Sequence, residues 1–228
     1  MIKQVLFGGK VEVGISEISD GNMRFFDGGD ETEIIENQKK LGEALGLDGD
    51  KIARIRTIYS EGKDFTDFYE ISDENLLEYV ITNPEEKIPV SDGLITKCSN
   101  VGILLPLADC LGIVVFDEEY HVLGLLHSGR QNVEQYGPGK FIEYFVENFN
   151  SNPEKLKVYF SPHALYYQIF KFDNKLLSEV AKEQLMNAGV LLENIVDYEI
   201  DTVDNINLPS HSSGDRTQRF AIVVKQNQ

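Results

Sequence analysis

Three apolar runs follow one another between residues 102 and 127: GILLPL at 102–107, LGIVVF at 111–116 and HVLGLLH at 121–127. A chain carrying them must bury them. The longest apolar stretch, VGILLPLADCLGIVVF at 101–116, contains Pro106 and Asp109. It falls short of the roughly 20 residues that span a bilayer. Its Val, Ile and Leu content is that of strands buried on at least one face. IARIRTIY at 52–59, KVYF at 157–160 and FAIVV at 220–224 read the same way. Helices are signalled at 31–46, where Ile34, Ile35, Gln38, Leu41 and Leu45 gather near one face before Gly46. Others are expected at 173–188, capped by Asp173, at 139–149 after Pro138, and at 72–82 from Ser72. Strands outnumber helices and several are sequential, which predicts an α+β fold with mixed sheets.

A length of 228 residues, 42% hydrophobic, suffices for one full core, so residues 1–228 are expected to form a single domain. The formal net charge of -17 repels phosphate backbones and anionic lipid. Nucleic acid and membrane surfaces are therefore not expected partners. The N-terminal MIKQVLFGGK lacks the apolar segment of a signal peptide. Two cysteines are too few for a disulfide framework. A soluble cytoplasmic protein is expected.

The runs at 111–116 and 121–127 read as a hairpin broken by DEEY at 117–120. A turn centred between Glu118 and Glu119 pairs Phe116 with His121 and Cys110 with His127. Directly opposed residues have Cβ atoms about 5 Å apart and share a face. That spacing suits a thiolate–imidazolium pair or shared metal coordination. A loop longer by one residue would put His127 on the other face. A free cysteine in an apolar strand is ordinarily a small core hydrophobe. Here Asp109 sits beside it, where a core strand has no use for a charge. Gly129 lets backbone approach a ligand closely, and Arg130 suits a carboxylate or phosphate.

LADC at 107–110 followed by HSGR at 127–130 resembles the TADC…HAGWR pair of the YfiH-like family, with the same Cys–His offset. Members of that family are described as multicopper polyphenol oxidases or laccase-domain proteins, and as purine nucleoside phosphorylases. Further segments are similar in the same order. FFDGGDETEIIENQKKL at 25–41 matches at Gly29, Asp30 and Asn37; SDGLIT at 91–96 matches at Asp92. SPHALYYQIF at 161–170 takes the place of a GPAIG segment. SHSSGDRTQRFAIV at 210–223 matches at Asp215, Thr217 and Arg219.

The resemblance implies a four-layer α/β/β/α sandwich, shared with the catalytic domain of cytotoxic necrotizing factors. It implies zinc held by His, Cys and His. It also implies phosphorolysis of adenosine, inosine or guanosine, adenosine deamination and, in some members, cleavage of methylthioadenosine. Cys110, His127 and Asp109 become the candidate catalytic residues, with Asp109 the acid/base of a deamination. Arg130 and Arg219 become candidate phosphate donors, with Tyr59 and Asp92 as further substrate contacts. The partners would be a purine nucleoside and phosphate, and the protein a monomer or small homo-oligomer.

The chain departs from the pattern at the chemical positions. Tyr59 stands where the family's first histidine ligand is, and a neutral phenol is a poor zinc ligand. The tryptophan of HAGWR is absent. Ser212 and Ser213 replace a double arginine. His163 or His211 is the candidate replacement, giving Cys110, His127 and one of them as a zinc set. Tyr166, Tyr167 and Phe170 are either a stacking wall for a base or core packing. Two other readings stand beside phosphorolysis: a metal-free Cys–His hydrolase, and a catalytically silent nucleotide-binding homologue. One candidate cysteine and four scattered histidines do not furnish several copper centres.

Overall fold

The apolar runs form strands, and the chain buries most of them twice. The computed structural model describes residues 1–25, 30–60, 62–215 and 217–227. Gly29 of the FFDGGD segment lies outside the described residues. In chain order the strands are β1 (Ile2–Leu6), β2 (Val11–Ile15), β3 (Ile52–Arg54), β4 (Phe68–Ile71), β5 (Gly93–Thr96), β6 (Gly102–Leu107), β7 (Leu111–Asp117), β8 (Val122–Ser128), β9 (Lys157–Phe160), β10 (Gln168–Ile169), β11 (Lys175–Leu176), β12 (Ile195–Asp197) and β13 (Phe220–Gln226). The α-helices are α1 (Glu31–Glu43), α2 (Leu76–Tyr79), α3 (Arg130–Glu134), α4 (Gly137–Phe149) and α5 (Leu177–Asn187).

One sheet runs β1-β2-β13-β6-β3 and the other β12-β9-β7-β8-β5-β4; β10 and β11 form a separate ribbon. Both large sheets are mixed. β3–β6, β4–β5 and β9–β12 are parallel and the other neighbours antiparallel.

Successive side chains of a strand point to opposite faces, and here both faces are covered. In β7, Val114 and Phe116 enter the core between the two sheets. Ile113 and Val115 enter a second core with Phe141, Ile142 and Phe145 of α4 and Val180 and Leu185 of α5. In β13, Ile222 and Val224 face the central core, while Ala221 and Val223 meet Leu41 of α1. The layers are therefore α1, first sheet, second sheet, and α3–α5: the expected α/β/β/α sandwich. The helices approach the second sheet closely. A Cβ on Gly124 of β8 would lie 2.8 Å from the Phe141 ring and 2.9 Å from that of Phe145.

Several local expectations are corrected. Helix α1 starts where expected, because Asp30 accepts from Thr32 N at 2.9 Å and Glu33 N at 3.4 Å. The expected helix 72–82 shrinks to four residues, since Val80 is extended. The expected helix 173–188 begins only at Leu177. Asp173 and Asn174 adopt left-handed φ values of 53° and 60° and turn β10 into β11, so Asp173 is a turn residue and not a cap. The run 52–59 is a strand only to Arg54. Beyond it Arg56 makes a single bridge to Val90 and Tyr59 leaves the sheet. The N-terminal hairpin β1–β2 and strands β4, β5 and β12 were not among the expected elements.

The β7–β8 register differs from expectation by two residues. Gly112, not Cys110, opposes His127, and Asp117 opposes Val122. The cause is the turn. Asp117 Oδ1 accepts from Glu119 N at 2.9 Å and Tyr120 N at 3.1 Å, and His121 takes φ 52°. Residues 118–121 thus form the loop. A shift of two keeps every side chain on its face, so Cys110 and His127 remain on the same side of the sheet.

Candidate functional site

Between β6 and β7 the chain turns through Ala108, Asp109 and Cys110. Asp109 adopts φ 72°, a conformation that acidic and amide side chains tolerate better than most. Its carboxylate locks the turn. Oδ1 accepts from Thr202 Oγ1 at 2.8 Å and Oδ2 from Ser212 N at 2.6 Å. Its carbonyl accepts from Ala164 N at 3.0 Å. Asp109 is 8% exposed, and both of its oxygens are already engaged.

His127 lies near the end of β8, with its backbone N–H on the carbonyl of Asp92 at 2.8 Å. Gly129 leaves the gap between the strand ends open. A Cβ there would be 3.1 Å from Cys110 Sγ and 3.2 Å from His127 Cε1. Tyr59 fills that gap from the opposite side. Its hydroxyl is 3.3 Å from His127 Nε2 and near enough to the Cys110 thiol to influence it. The residue as a whole is 48% exposed.

Burial dominates the electrostatics. It pushes the Cys110 thiol up to about 11, with Asp109 adding to the effect and the Tyr59 hydroxyl, Arg219 and Arg24 opposing it. Burial, then Arg24 and Lys63, pulls His127 down to about 4. Burial likewise raises Tyr59 above the ordinary phenol range. At neutral pH the three groups are a thiol, an imidazole and a phenol, all uncharged. Both shifts oppose a thiolate–imidazolium pair, the activated form a cysteine hydrolase uses.

These groups line a cavity of about 430 Å³. Arg130, Arg219 and His211 line it with them, as does Tyr167. Asp92 and His163 do not. Asp92 is fully buried, its Oδ2 2.6 Å from Lys63 Nζ and 3.3 Å from Asp67 N. It serves the site through the carbonyl that holds His127. His163 is also fully buried, with Nδ1 2.8 Å from the Ser161 carbonyl and a backbone bridge to Asp201. Tyr166 and Phe170 are 77% and 87% exposed, so they are neither core nor cavity wall. Asp215 accepts from Thr217 N at 2.8 Å in a turn that leads to Arg219.

Cationic residues that sequence reasoning missed complete the cavity. Arg24, Arg54 and Arg56 join Arg130 and Arg219, so five of the chain's six arginines surround one space. Among the described residues the lining carboxylates are Asp109 and Glu85. Arg54 is 1% exposed. Its Nη2 is 2.9 Å from Glu85 Oε2, and its guanidinium lies 4.3 Å from the centre of the Phe25 ring. Burial lowers it to about 10, still a cation at neutral pH.

The residues present do not fit zinc or a set of coppers. Among the described residues no three His, Cys, Asp or Glu side chains come together for one ion. His163 is out of the cavity, and the Tyr59 hydroxyl stands against both Cys110 and His127. A zinc site needs three protein N, S or carboxylate ligands around an open position, and here the third place is held by an uncharged phenol.

A family model described as multi-copper polyphenol oxidoreductase laccase matches residues 9–180. A purine nucleoside phosphorylase of Borreliella burgdorferi is 29% identical over 121 residues, covering 52% of this chain and 52% of that protein. A purine nucleoside phosphorylase of Campylobacter jejuni is 28% identical over 151 residues, covering 58% of this chain and 66% of that protein. The chain thus matches about half to two thirds of these relatives' length. The crystal structure of Bacillus licheniformis hypothetical protein YfiH superposes with a TM-score of 0.83 at 16% identity, covering 95% of this chain and 93% of that one. The fold is shared. No helix among the described residues is long and apolar enough to cross a membrane.

Proposed function

This chain belongs to the multi-copper polyphenol oxidoreductase laccase family, and from that premise we propose that it catalyses phosphorolysis of purine nucleosides. The observation that carries the reading is that five arginines line the same cavity as the uncharged Cys110, His127 and Tyr59, in a chain of net charge -17. A local cationic cavity in an acidic protein is a site for an anionic ligand. The two relatives named purine nucleoside phosphorylase supply the reaction class.

In this reading Arg24, Arg219 and Arg130 hold inorganic phosphate. A phosphate oxygen forms the bond to C1′ of the ribose as the C1′–N9 bond breaks, and the purine leaves with the electron pair. Tyr59, kept protonated by burial, donates a hydrogen bond to a purine nitrogen on which negative charge builds. Cys110 and His127 position that hydroxyl. Adenosine deamination would require an activated water beside Asp109, each of whose oxygens already accepts one hydrogen bond; phosphorolysis makes no such demand. Two free thiols suit a cytoplasmic setting.

The test is chromatographic. Protein is incubated with inosine or adenosine and phosphate, beside Cys110→Ala and Tyr59→Phe. Free hypoxanthine or adenine is expected, and Tyr59→Phe should lower the rate by roughly 10²–10³-fold. Release of no base from any purine nucleoside refutes the reading. Tight purine binding without turnover would instead favour the silent homologue, which the Tyr59 hydroxyl lying against both Cys110 and His127 also suits.

A further inference from the structure

We propose that Gln135 is the positioning residue for Tyr59: by gripping the backbone of Lys63 and Phe65 it sets the Tyr59 ring so that the hydroxyl meets His127. This rests on the purine reading above and adds to it a residue that does not line the arginine cavity.

Little else fixes Tyr59. It lies beyond the end of β3, and among the described residues no backbone hydrogen bond holds Thr57, Ile58 or Tyr59. Packing does not box it in either. The residue is exposed, and it lines both the arginine cavity and a second hollow of about 550 Å³. Its place depends on two ring contacts: Phe65, with centroids 5.8 Å apart, and His127, edge-on with centroids 6.2 Å apart.

Phe65 is held at both ends of its backbone. Its N–H donates to Gln135 Oε1 at 2.8 Å, and its carbonyl accepts from Asn132 Nδ2 at 2.7 Å. Gln135 Nε2 donates to the Lys63 carbonyl at 3.1 Å. One carboxamide therefore bonds two alternate residues as a neighbouring strand would, and it keeps the buried Phe65 ring against Tyr59. Lys63 closes the circuit. Its Nζ is 4.4 Å from the centre of the Phe65 ring and 2.6 Å from Asp92 Oδ2, and the Asp92 carbonyl accepts from His127 N. The grip also has a firm base. Gln135 directly follows α3, which Gln184 of α5 ties down by donating to the Val133 carbonyl at 2.7 Å. The short stretch 127–135 thus carries both His127 and the side chain that sets Tyr59 against it.

A double-mutant cycle with two readouts tests this. Gln135→Met keeps the length of the side chain and removes both hydrogen bonds. It should lower kcat for base release about 10²-fold, as misplacement by about 1 Å does, with KM for phosphate unchanged. In a Tyr59→Phe background the same substitution should cost nothing further. The second readout needs no turnover: iodoacetamide alkylation of Cys110, followed by mass spectrometry. Tyr59 leaving its place uncovers the thiol, so Gln135→Met should be alkylated faster than wild type and approach the rate of Tyr59→Ala. Phe65→Leu, which removes the ring and leaves the Gln135 bonds, should behave likewise and serves if Gln135→Met folds poorly. An unchanged kcat overturns the proposal. So does an equal fold-loss in both backgrounds, because Gln135 would then act on the fold and not on Tyr59. If the wild type releases no base, phosphorolysis fails and alkylation decides alone: a wild-type rate in Gln135→Met sinks the positioning role, and a faster one upholds it.

Discussion

Replacing His127 with glutamine should flatten the acid side of the stability curve. The imidazole is 4% exposed and held near 4 by burial, with Arg24 and Lys63 adding repulsion. Its neighbours Cys110 and Tyr59 are uncharged and give an imidazolium no compensation. In the unfolded chain the group titrates near 6.5. Between those values the unfolded state binds the proton and the folded state does not, so stability falls as pH falls. The loss begins below about 6.5 and is complete near 4. At 1.36 kcal/mol per unit it totals about 3 kcal/mol, of which about 2 kcal/mol appears between pH 7 and pH 5. Urea unfolding of wild type and His127→Gln at both values, with chelator present, measures it. The wild type should lose about 2 kcal/mol more than the variant. Equal losses would mean that the buried histidine is not held neutral, and the account of the site's electrostatics would fail with it.

Lys63→Met strands the Asp92 carboxylate, which is fully buried and lies 2.6 Å from Nζ; a cost of about 3–5 kcal/mol is expected, and chemical denaturation within 1 kcal/mol of wild type would contradict it. Tyr59→His supplies a third ligand beside Cys110 and His127. Elemental analysis after dialysis should then find about one zinc per chain, and a content no higher than wild type would show that something besides Tyr59 keeps metal out. Gly124→Ala drives a methyl to within 2.8–3.0 Å of the Phe141 and Phe145 rings. Overpacking should lower stability by about 1–3 kcal/mol, and an unchanged melting temperature would mean that α4 is free to shift.

The layers were legible wherever local pattern sufficed. β6, β7, β9 and β13 fall on the apolar runs, and Pro138 lies in the first turn of α4. The Cys110–His127 proximity was legible too, although for a register two residues away from the real one. Asp117 caps its own turn through a side chain, and alternating hydrophobicity carries no trace of that. Asp173 resembles a helix cap because acidic residues suit both caps and left-handed turns. The N-terminal hairpin had its signal in Gly8–Gly9, where both glycines take positive φ between strands. The arginine cavity had none. Arg24, the Arg54–Arg56 pair, Arg130 and Arg219 lie in four separate segments, and only folding brings them to one cavity. His163 shows the converse: a histidine in the right segment whose ring turns into the protein instead of the cavity.

The position of β13 decides when this fold can close. Val224 pairs with Val13 on one side and Ile103 on the other, so the strand is the middle of its sheet although it follows every other strand described here in chain order. Until residues 220–226 leave the ribosome, β2 and β6 each present an unpaired apolar edge to whatever is nearby. The α1 side of the sandwich and the arginine cavity wait on the same event, because Ala221 and Val223 belong to that segment and Arg219 immediately precedes it. A nascent or truncated chain lacking it has one sheet to offer and two open edges to protect. Closure of this sheet therefore waits until residues 220–226 have been made, with aggregation as the competing outcome.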